Sequence, residues 1–238
     1  MRVIAVFINM ALVLLGSILG LLLKNRFPEA LGGAIRTGIG LCTLGIGLTS
    51  LLKTADTLCV IVCMVVGIVL GEWIDIERHM DAAGEFLKAK LEKPGSQSRF
   101  VEGFVTATIL YCVGAMAING SMEAGINHDY SIILSKSVMD GVTAITFAAA
   151  MGIGVAFSIF PIFLYQGGLT LLAQWVGPYL DPAVVNEMSA VGGALIVGIS
   201  INLLSLRAEK VKVGNMLPAI FLPIAYIPIA NALAGLLG

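Results

Sequence analysis

The chain has 238 residues, of which 58% are hydrophobic and only 12% are charged, and its mean hydropathy is +0.97. Soluble domains of this length carry more charge, so the composition indicates an integral membrane protein in contact with the lipid bilayer. The formal net charge of -1 lacks the positive surplus that nucleic acid binding requires, so nucleic acid is not an expected partner.

Apolar segments divide the chain into predicted membrane crossings. A helix needs about 20 apolar residues to cross the hydrocarbon core, and eight segments approach this length: 4–23, 34–52, 57–74, 101–118, 138–160, 162–179, 186–206 and 214–236. The boundary at Pro161 is open, because one long helix broken at this proline would reduce the number to seven. The predicted fold is an all-α polytopic transmembrane bundle of about eight spans, forming a single domain over residues 1–238.

A polar segment at 72–99 joins the third and fourth spans. Apolar residues recur in it at near-helical spacing, which predicts an amphipathic helix on the membrane or the bundle, with a solvated connecting helix as the alternative. Lys and Arg concentrate here, after the first span and before the last span, which by the positive-inside rule makes these loops cytoplasmic. The N-terminus, the loops at Lys53 and Pro182 and the segment 119–136 are then outside.

Two glycine-rich stretches resemble each other. Gly38–Leu52 and Val191–Ser205 align without gaps, which pairs Thr49 with Asn202, and a looser match around Gly16 and Gly167 keeps nearly the same spacing. These matches predict inverted repeats at 4–74 and 162–236, separated by the connection at 72–99 and a central region at 101–160. Shared glycine-rich composition is the alternative explanation. Inverted repeats are frequent in secondary transporters, whose binding sites lie near the midplane.

The central region combines a predicted helix break with ionisable residues. We expect the break at Asn119-Gly120-Ser121, which makes the fourth span a discontinuous helix. Lys136 and Asp140 are four residues apart and can pair along one helix face. Because a carboxylate at membrane depth costs about 2.5–3.5 kcal/mol on insertion scales, it persists where it binds an ion, a proton or a substrate. Location of the acids at the water interface is the alternative.

Neutral polar residues inside the spans, Asn9 among them, form a second tier of candidates. Gln166 and Asn202 rank highest in it, because a side-chain amide in lipid needs a partner on another helix or a ligand. The predicted substrate- or ion-binding residues are Asn119, Gly120, Ser121, Glu123, Lys136, Asp140, Gln166, Asn202 and Thr49.

Metal, cofactor and enzyme chemistry are not expected. The four cysteines lie inside apolar segments, at Cys42, Cys59, Cys63 and Cys112, and no other residue of metal-ligand character lies near them. The chain has no H-E-x-x-H, G-x-S-x-G or phosphate-binding loop, so we predict that the protein is not an enzyme.

Four stretches carry a resemblance to a known family: CVGAMAINGSMEAG (Cys112–Gly125), DYSIILSKSVMDG (Asp129–Gly141), FPIFLYQGGLTLLA (Phe160–Ala173) and GGALIVGISINLL (Gly192–Leu204). With them the whole chain resembles the bacterial membrane proteins called domain of unknown function 554, the YqgA/YdfK-like group. The resemblance implies a multi-pass protein of the bacterial inner membrane and supplies no settled activity.

The predicted helix break, the embedded ionisable residues and the predicted inverted repeat favour a small secondary transporter for a polar small molecule, an amino acid or organic acid, coupled to a proton or cation. Two alternatives stay open at this point. One is an ion or solute channel, and the other is a non-transporting scaffold or regulatory subunit that docks a partner through 72–99. Glycine-rich surfaces also allow a homo-oligomer.

Overall fold

The computed structural model describes residues 3–24, 29–91, 99–112 and 115–237, and all regular secondary structure within these ranges is helical. The predicted all-α bundle is therefore confirmed. The α-helices are α1 (Ile4–Lys24), α2 (Glu29–Leu51), α3 (Thr57–Ile74), α4 (Ile76–Leu91), α5 (Phe100–Cys112), α6 (Ala115–Ile126), α7 (Ser131–Met151), α8 (Ile159–Ile162), α9 (Gly168–Val176), α10 (Pro182–Leu203) and α11 (Pro223–Leu237).

The number of membrane-spanning helices agrees with the sequence prediction. Among the described residues, five helical stretches are long and apolar enough to cross a bilayer by themselves: α1, α3, α7, 153–175 and α10. Two bent pairs raise the number to seven if each is one span: α5 with α6, and the 3₁₀ helix Val213–Phe221 with α11. The apolar part of α2, Thr37–Leu51, is shorter, and counting it gives eight.

The chain turns between the fifth and sixth spans at Gly152 rather than at Pro161. Gly152 has a φ of 90°, which a residue with a side chain rarely adopts. Pro161 instead lies inside the sixth span, within α8, and a π-helical segment, Phe163–Gly167, follows it. Such local changes of helix type absorb the hydrogen bond that proline lacks. The predicted boundaries at 138–160 and 162–179 are therefore wrong.

The predicted helix break at Asn119-Gly120-Ser121 is also wrong. The helix α6 runs through all three residues, and the bend of 58° lies earlier, between Phe100–Cys112 and Met116–Ile126. Gly120 packs against Ile133 of α7, and Ser121 is fully buried. These small residues therefore permit close helix contact instead of ending the helix.

Glycines set which helices pack together. Parallel helices α1 and α7 meet through Gly16 and Gly141, where a Cβ on Gly16 would collide with the Gly141 carbonyl. Antiparallel helices α2 and α10 meet through Gly47 and Gly193. In lipid no hydrophobic force brings helices together, so small residues that allow close backbone approach decide the pairing.

The bundle has two distinct ends. At one end, Asn186 at the start of α10 donates a hydrogen bond to the carbonyl of Lys53 in the loop between α2 and α3, at 2.8 Å. The opposite end carries α4, which packs on α5 and on the 3₁₀ helix Val213–Phe221. Trp175 near the first end and Trp73 near the second are 79% and 85% exposed, as expected of aromatic residues at the two membrane interfaces. We call these the Lys53 end and the α4 end.

The contact between α2 and α10 can be tested with two glycines of α2. A Cβ at Gly47 would lie 2.8 Å from the backbone nitrogen of Val197, whereas a Cβ at Gly45 meets nothing within 4 Å. We expect Gly47→Ala to lower the free energy of unfolding by about 1–3 kcal/mol, because overpacking forces the backbones apart. Gly45→Ala is the control, and thermal denaturation of both variants in detergent is the measurement. Equal stability of the two variants would contradict the packing described here.

Candidate functional site

A buried ion pair lies near the middle of α7. The Lys136 ammonium donates to Asp140 Oδ2, and the two side chains are only 7% and 10% exposed. They lie four residues apart on the same helix face, as the sequence predicted. Their proximity neutralises two charges that would each be strongly unfavourable in hydrocarbon alone.

A chain of amide hydrogen bonds connects this ion pair to three other spans. Asn9 Nδ2 of α1 donates to Asp140 Oδ2 at 3.2 Å and to Gln166 Oε1 at 3.0 Å. Gln166 Nε2 then donates to the backbone oxygen of Tyr111 in α5, at 3.3 Å. Asn9 and Gln166 are both completely buried. Gln166 belongs to the π-helical segment after Pro161, and such segments are frequent at functional sites.

The ion pair borders a cavity of about 260 Å³ that extends toward the Lys53 end. We call it the outer cavity. Lys136, Asp140 and Tyr111 line its deep part, and Lys53 and Asn186 line the part nearest the loops. Apolar side chains form most of the rest of the wall, at Ile46, Leu110, Met116, Ala117, Met139 and Ile196, and three hydroxyl residues complete it, Ser50, Thr143 and Ser189. A small cavity with few convergent polar groups in an apolar wall is typical of a site for a small molecule.

A second cavity, of about 340 Å³, lies at the α4 end between α4, α5 and α10. We call it the inner cavity. Its charged lining residues are mostly acidic: Glu77, Asp81, Glu85, Glu102 and one cation, Lys210. Burial raises the pKa of the Glu77 carboxyl, although a hydrogen bond from the Gly214 backbone opposes the shift. Burial also raises the pKa of Asp81. The lining of this cavity therefore attracts cations and protons.

Only a thin apolar layer separates the two cavities. On α5, Ile109 lines the inner cavity, and the next two residues, Leu110 and Tyr111, line the outer one. On α10, Ile196 lines the outer cavity and Ile199 the inner one. At a rise of about 1.5 Å per residue, the two isoleucines are about 4.5 Å apart along the helix axis. The barrier between the cavities is therefore about one helical turn thick.

The structure brings together three of the predicted site residues, Lys136, Asp140 and Gln166. Asn119 is exposed, Gly120 contacts α7, and the Ser121 hydroxyl is buried without a hydrogen-bond partner in the described part of the chain. Glu123 lies toward the Lys53 end, where it accepts a hydrogen bond from Asn127 at 2.7 Å. None of these four lines either cavity.

The pair suggested by the repeat, Thr49 and Asn202, does not meet at the ion pair. Thr49 is exposed and donates to its own helix, at the carbonyl of Gly45, 2.8 Å away. Asn202 lines the inner cavity and exchanges two hydrogen bonds with the backbone of Val211, at 2.8 and 2.9 Å. Its side chain therefore closes the turn after α10.

Two residues of the site region were absent from the predicted set. Asn9 is an amide inside an apolar span, the same signal that pointed to Gln166. Glu187 is 2% exposed, and its carboxylate accepts from the Thr54 hydroxyl at 2.5 Å and from the Ala55 backbone nitrogen at 2.7 Å. The sequence signal that could have identified Glu187 is the position of this carboxylate inside the apolar part of α10.

Comparison with known proteins places the chain in a family. Residues 4–227 match the family described as "Protein of unknown function (DUF554)". The chain belongs to this family. Similar proteins are "Uncharacterized protein YqgA" of Escherichia coli (strain K12), 32% identical over 92% of this chain and 94% of that protein, and "Uncharacterized membrane protein YdfK" of Bacillus subtilis (strain 168), 28% identical over 94% and 95%. The predicted resemblance and the membrane character are confirmed. No solved structure gives a significant match.

The ion pair of this DUF554 protein can be tested by a double-mutant cycle. We expect Lys136→Met or Asp140→Leu alone to destabilise the protein by about 3–5 kcal/mol, because each leaves one buried charge without its partner. The double variant should lose less stability than either single variant. Denaturant unfolding in detergent gives the free energy of unfolding of the wild type, the two single variants and the double variant.

The pair Lys88–Glu85 on α4, with a separation of 3.6 Å and side chains 22% and 61% exposed, provides the control. Lys88→Met and Glu85→Leu should each change stability by about 1 kcal/mol or less, because solvent screens such pairs. If the stability losses of the two single variants at Lys136 and Asp140 add up in the double variant, the result would contradict the buried ion pair.

Proposed function

We propose that this chain is a small secondary transporter that moves a polar small molecule across the bacterial inner membrane, coupled to a proton or cation. One observation carries the proposal: two cavities extend toward opposite ends of the bundle and are separated by about one turn of apolar side chains. Alternating access requires such an arrangement, in which a thin barrier shifts from one side of a central site to the other.

The buried ion pair provides a place for coupling. Asp140 lies at the deep end of the outer cavity, where it is held by Lys136 and Asn9. A proton or cation that binds the carboxylate weakens its attraction for the Lys136 ammonium, and a substrate group can then compete for either partner. The coupling ion therefore acts directly at the substrate cavity.

The packing of the spans supports the proposed inverted repeat. The aligned stretches lie in α2 and α10, and these helices contact each other antiparallel, from Gly40 beside Leu204 to Leu51 beside Gly193. The third and eighth spans also pack antiparallel. The first span runs parallel to the fifth, and the fourth runs parallel to the sixth. An inverted repeat would exchange spans one, two and three with spans six, seven and eight, and span four with span five. Under this exchange the contact of the first span with the fifth becomes the contact of the sixth with the fourth, and the other two contacts map onto themselves.

The distribution of basic residues supports an orientation. Arg78, Lys88, Lys90, Arg99, Arg207, Lys210 and Lys212 lie at the α4 end, and Lys53 lies at the other end. By the positive-inside rule the α4 end is cytoplasmic, and the N-terminus is outside. Relatives from Escherichia coli and Bacillus subtilis, one of them named a membrane protein, are consistent with a bacterial cell membrane.

Reconstituted liposomes test the proposed transport directly. We expect gradient-driven uptake of a labelled small organic acid or amino acid, and a loss of about tenfold or more in Asp140→Asn, because this change removes the coupling charge. Glu209→Gln, exposed in the loop after α10 and outside both cavities, is the control and should transport normally. Absence of uptake under both proton and sodium gradients would refute the transporter, and unitary currents in planar bilayers would identify a channel instead.

The barrier between the cavities predicts sided reactivity of introduced cysteines. In a variant without the four native cysteines, we expect Ser189→Cys to react with a membrane-impermeant thiol reagent from the Lys53 end, because Ser189 lines the outer cavity. Thr106→Cys should react from the α4 end, because Thr106 lines the inner cavity. Ile133→Cys, fully buried at α1, is the unreactive control. Reaction of both cavity cysteines from one side only would contradict the barrier.

A further inference from the structure

The charges of the outer cavity leave one cation without a partner. Lys53, Lys136 and Asp140 are its charged lining residues. Asp140 is engaged by Lys136 and Asn9, so its charge is already compensated. Lys53 forms no ion pair within the described ranges, and its backbone oxygen is bound to Asn186 of α10, which positions the residue beside the cavity. The cavity therefore carries a net charge of about +1.

Glu187, the nearest other carboxylate on α10, does not compensate this charge from within the cavity. It is not among the lining residues, and its oxygens accept hydrogen bonds from Thr54, Ala55 and Asp56 in the loop between α2 and α3. These donors satisfy the buried carboxylate and hold the loop that carries Lys53 against α10.

A hydrogen-bond donor without a partner lies in the same wall. Ser189 follows Asn186 by three residues on α10, lines the outer cavity and is 6% exposed. Its hydroxyl has no hydrogen-bond partner among the residues that the structure describes. A buried polar group without a partner is unfavourable, so a ligand that accepts this hydrogen bond gains affinity.

The size and the remaining wall limit the ligand further. The volume of about 260 Å³ is just below the range of about 300–1,000 Å³ that is usual for ligand pockets. Much of the wall is aliphatic or methionine, as at Ile46, Met139 and Ile196. The ligand is therefore small and combines one polar end with an apolar body.

We propose that the solute moved by this transporter is a small organic monocarboxylate. Its carboxylate accepts from the Lys53 ammonium and the Ser189 hydroxyl, and its apolar part lies against Met139 and Ile196. A zwitterionic amino acid fits less well, because its ammonium group meets no unpaired carboxylate in the cavity. A dicarboxylate fits less well because only one cation is unpaired. This inference rests on the proposed transport function and names its substrate class.

Four probes of similar carbon skeleton test the inference on the purified full chain in detergent. Isothermal titration should show binding of butyrate. The affinity should be about tenfold or more lower for the other three probes. Butyramide lacks the carboxylate charge, 2-aminobutyrate carries an ammonium that meets no unpaired carboxylate, and succinate carries a second carboxylate that meets no unpaired cation. Lys53→Gln should weaken butyrate binding by about tenfold or more. Lys212→Gln, which changes an exposed cation at the α4 end outside both cavities, is the matched control and should leave binding unchanged. Ser189→Ala should weaken binding by a smaller factor.

Three results would overturn the inference: equal binding of butyrate and 2-aminobutyrate, unchanged butyrate affinity in Lys53→Gln, or no butyrate binding to the folded wild-type protein. Liposome counterflow of propane-1-sulfonate, a permanently charged analogue that does not cross lipid, separates this result from the transport proposal. Butyrate binding without counterflow refutes transport and leaves the ligand class intact. Gradient-driven movement of a cation or a zwitterion without butyrate binding supports transport and refutes the ligand class.

Discussion

A carboxylate in the middle of a membrane helix must have partners, and the packing around α7 follows from this requirement. Asp140 meets a cation one turn away and an amide from α1, and that amide is in turn bound to Gln166 in the sixth span. Each of these groups would be unfavourable in hydrocarbon alone, so the network ties the first, fourth, fifth and sixth spans together. For the same reason, its members exchange partners only with another polar group, which is what the proposed coupling at Asp140 requires.

Such a network requires backbones that approach closely, and glycine provides this where the helices cross. Gly16 and Gly141 bring α1 against α7 near Asn9 and Asp140, so the short amide side chain reaches the carboxylate. Along the contact of α5 with α10 the side chains are larger, with Ile109, Ile196 and Ile199 facing the cavities. The two cavities lie along this contact, and isoleucines line both of them on the sides that face each other.

The Lys53 end has its own buried carboxylate with a different role. Glu187 accepts hydrogen bonds from the loop between α2 and α3, and the neighbouring Asn186 binds the carbonyl of Lys53. These bonds attach the loop to α10 beside the outer cavity. A motion that opens the outer cavity must either carry both elements or break these bonds.

Features that depend on near neighbours in the chain were predictable. Composition indicated a membrane bundle, segment length indicated about eight spans, and the four-residue spacing placed Lys136 beside Asp140, because a helix brings such residues onto one face. The burial of Gln166 also followed from its place in an apolar run. Partners distant in the chain came only from the tertiary structure: Asn9 lies 131 residues from Asp140, and Thr54 lies 133 residues from Glu187. The turn at Gly152 and the continuous helix through Asn119 likewise depend on neighbouring helices, because a glycine or proline permits a break, and only the packing around it decides whether the chain bends there.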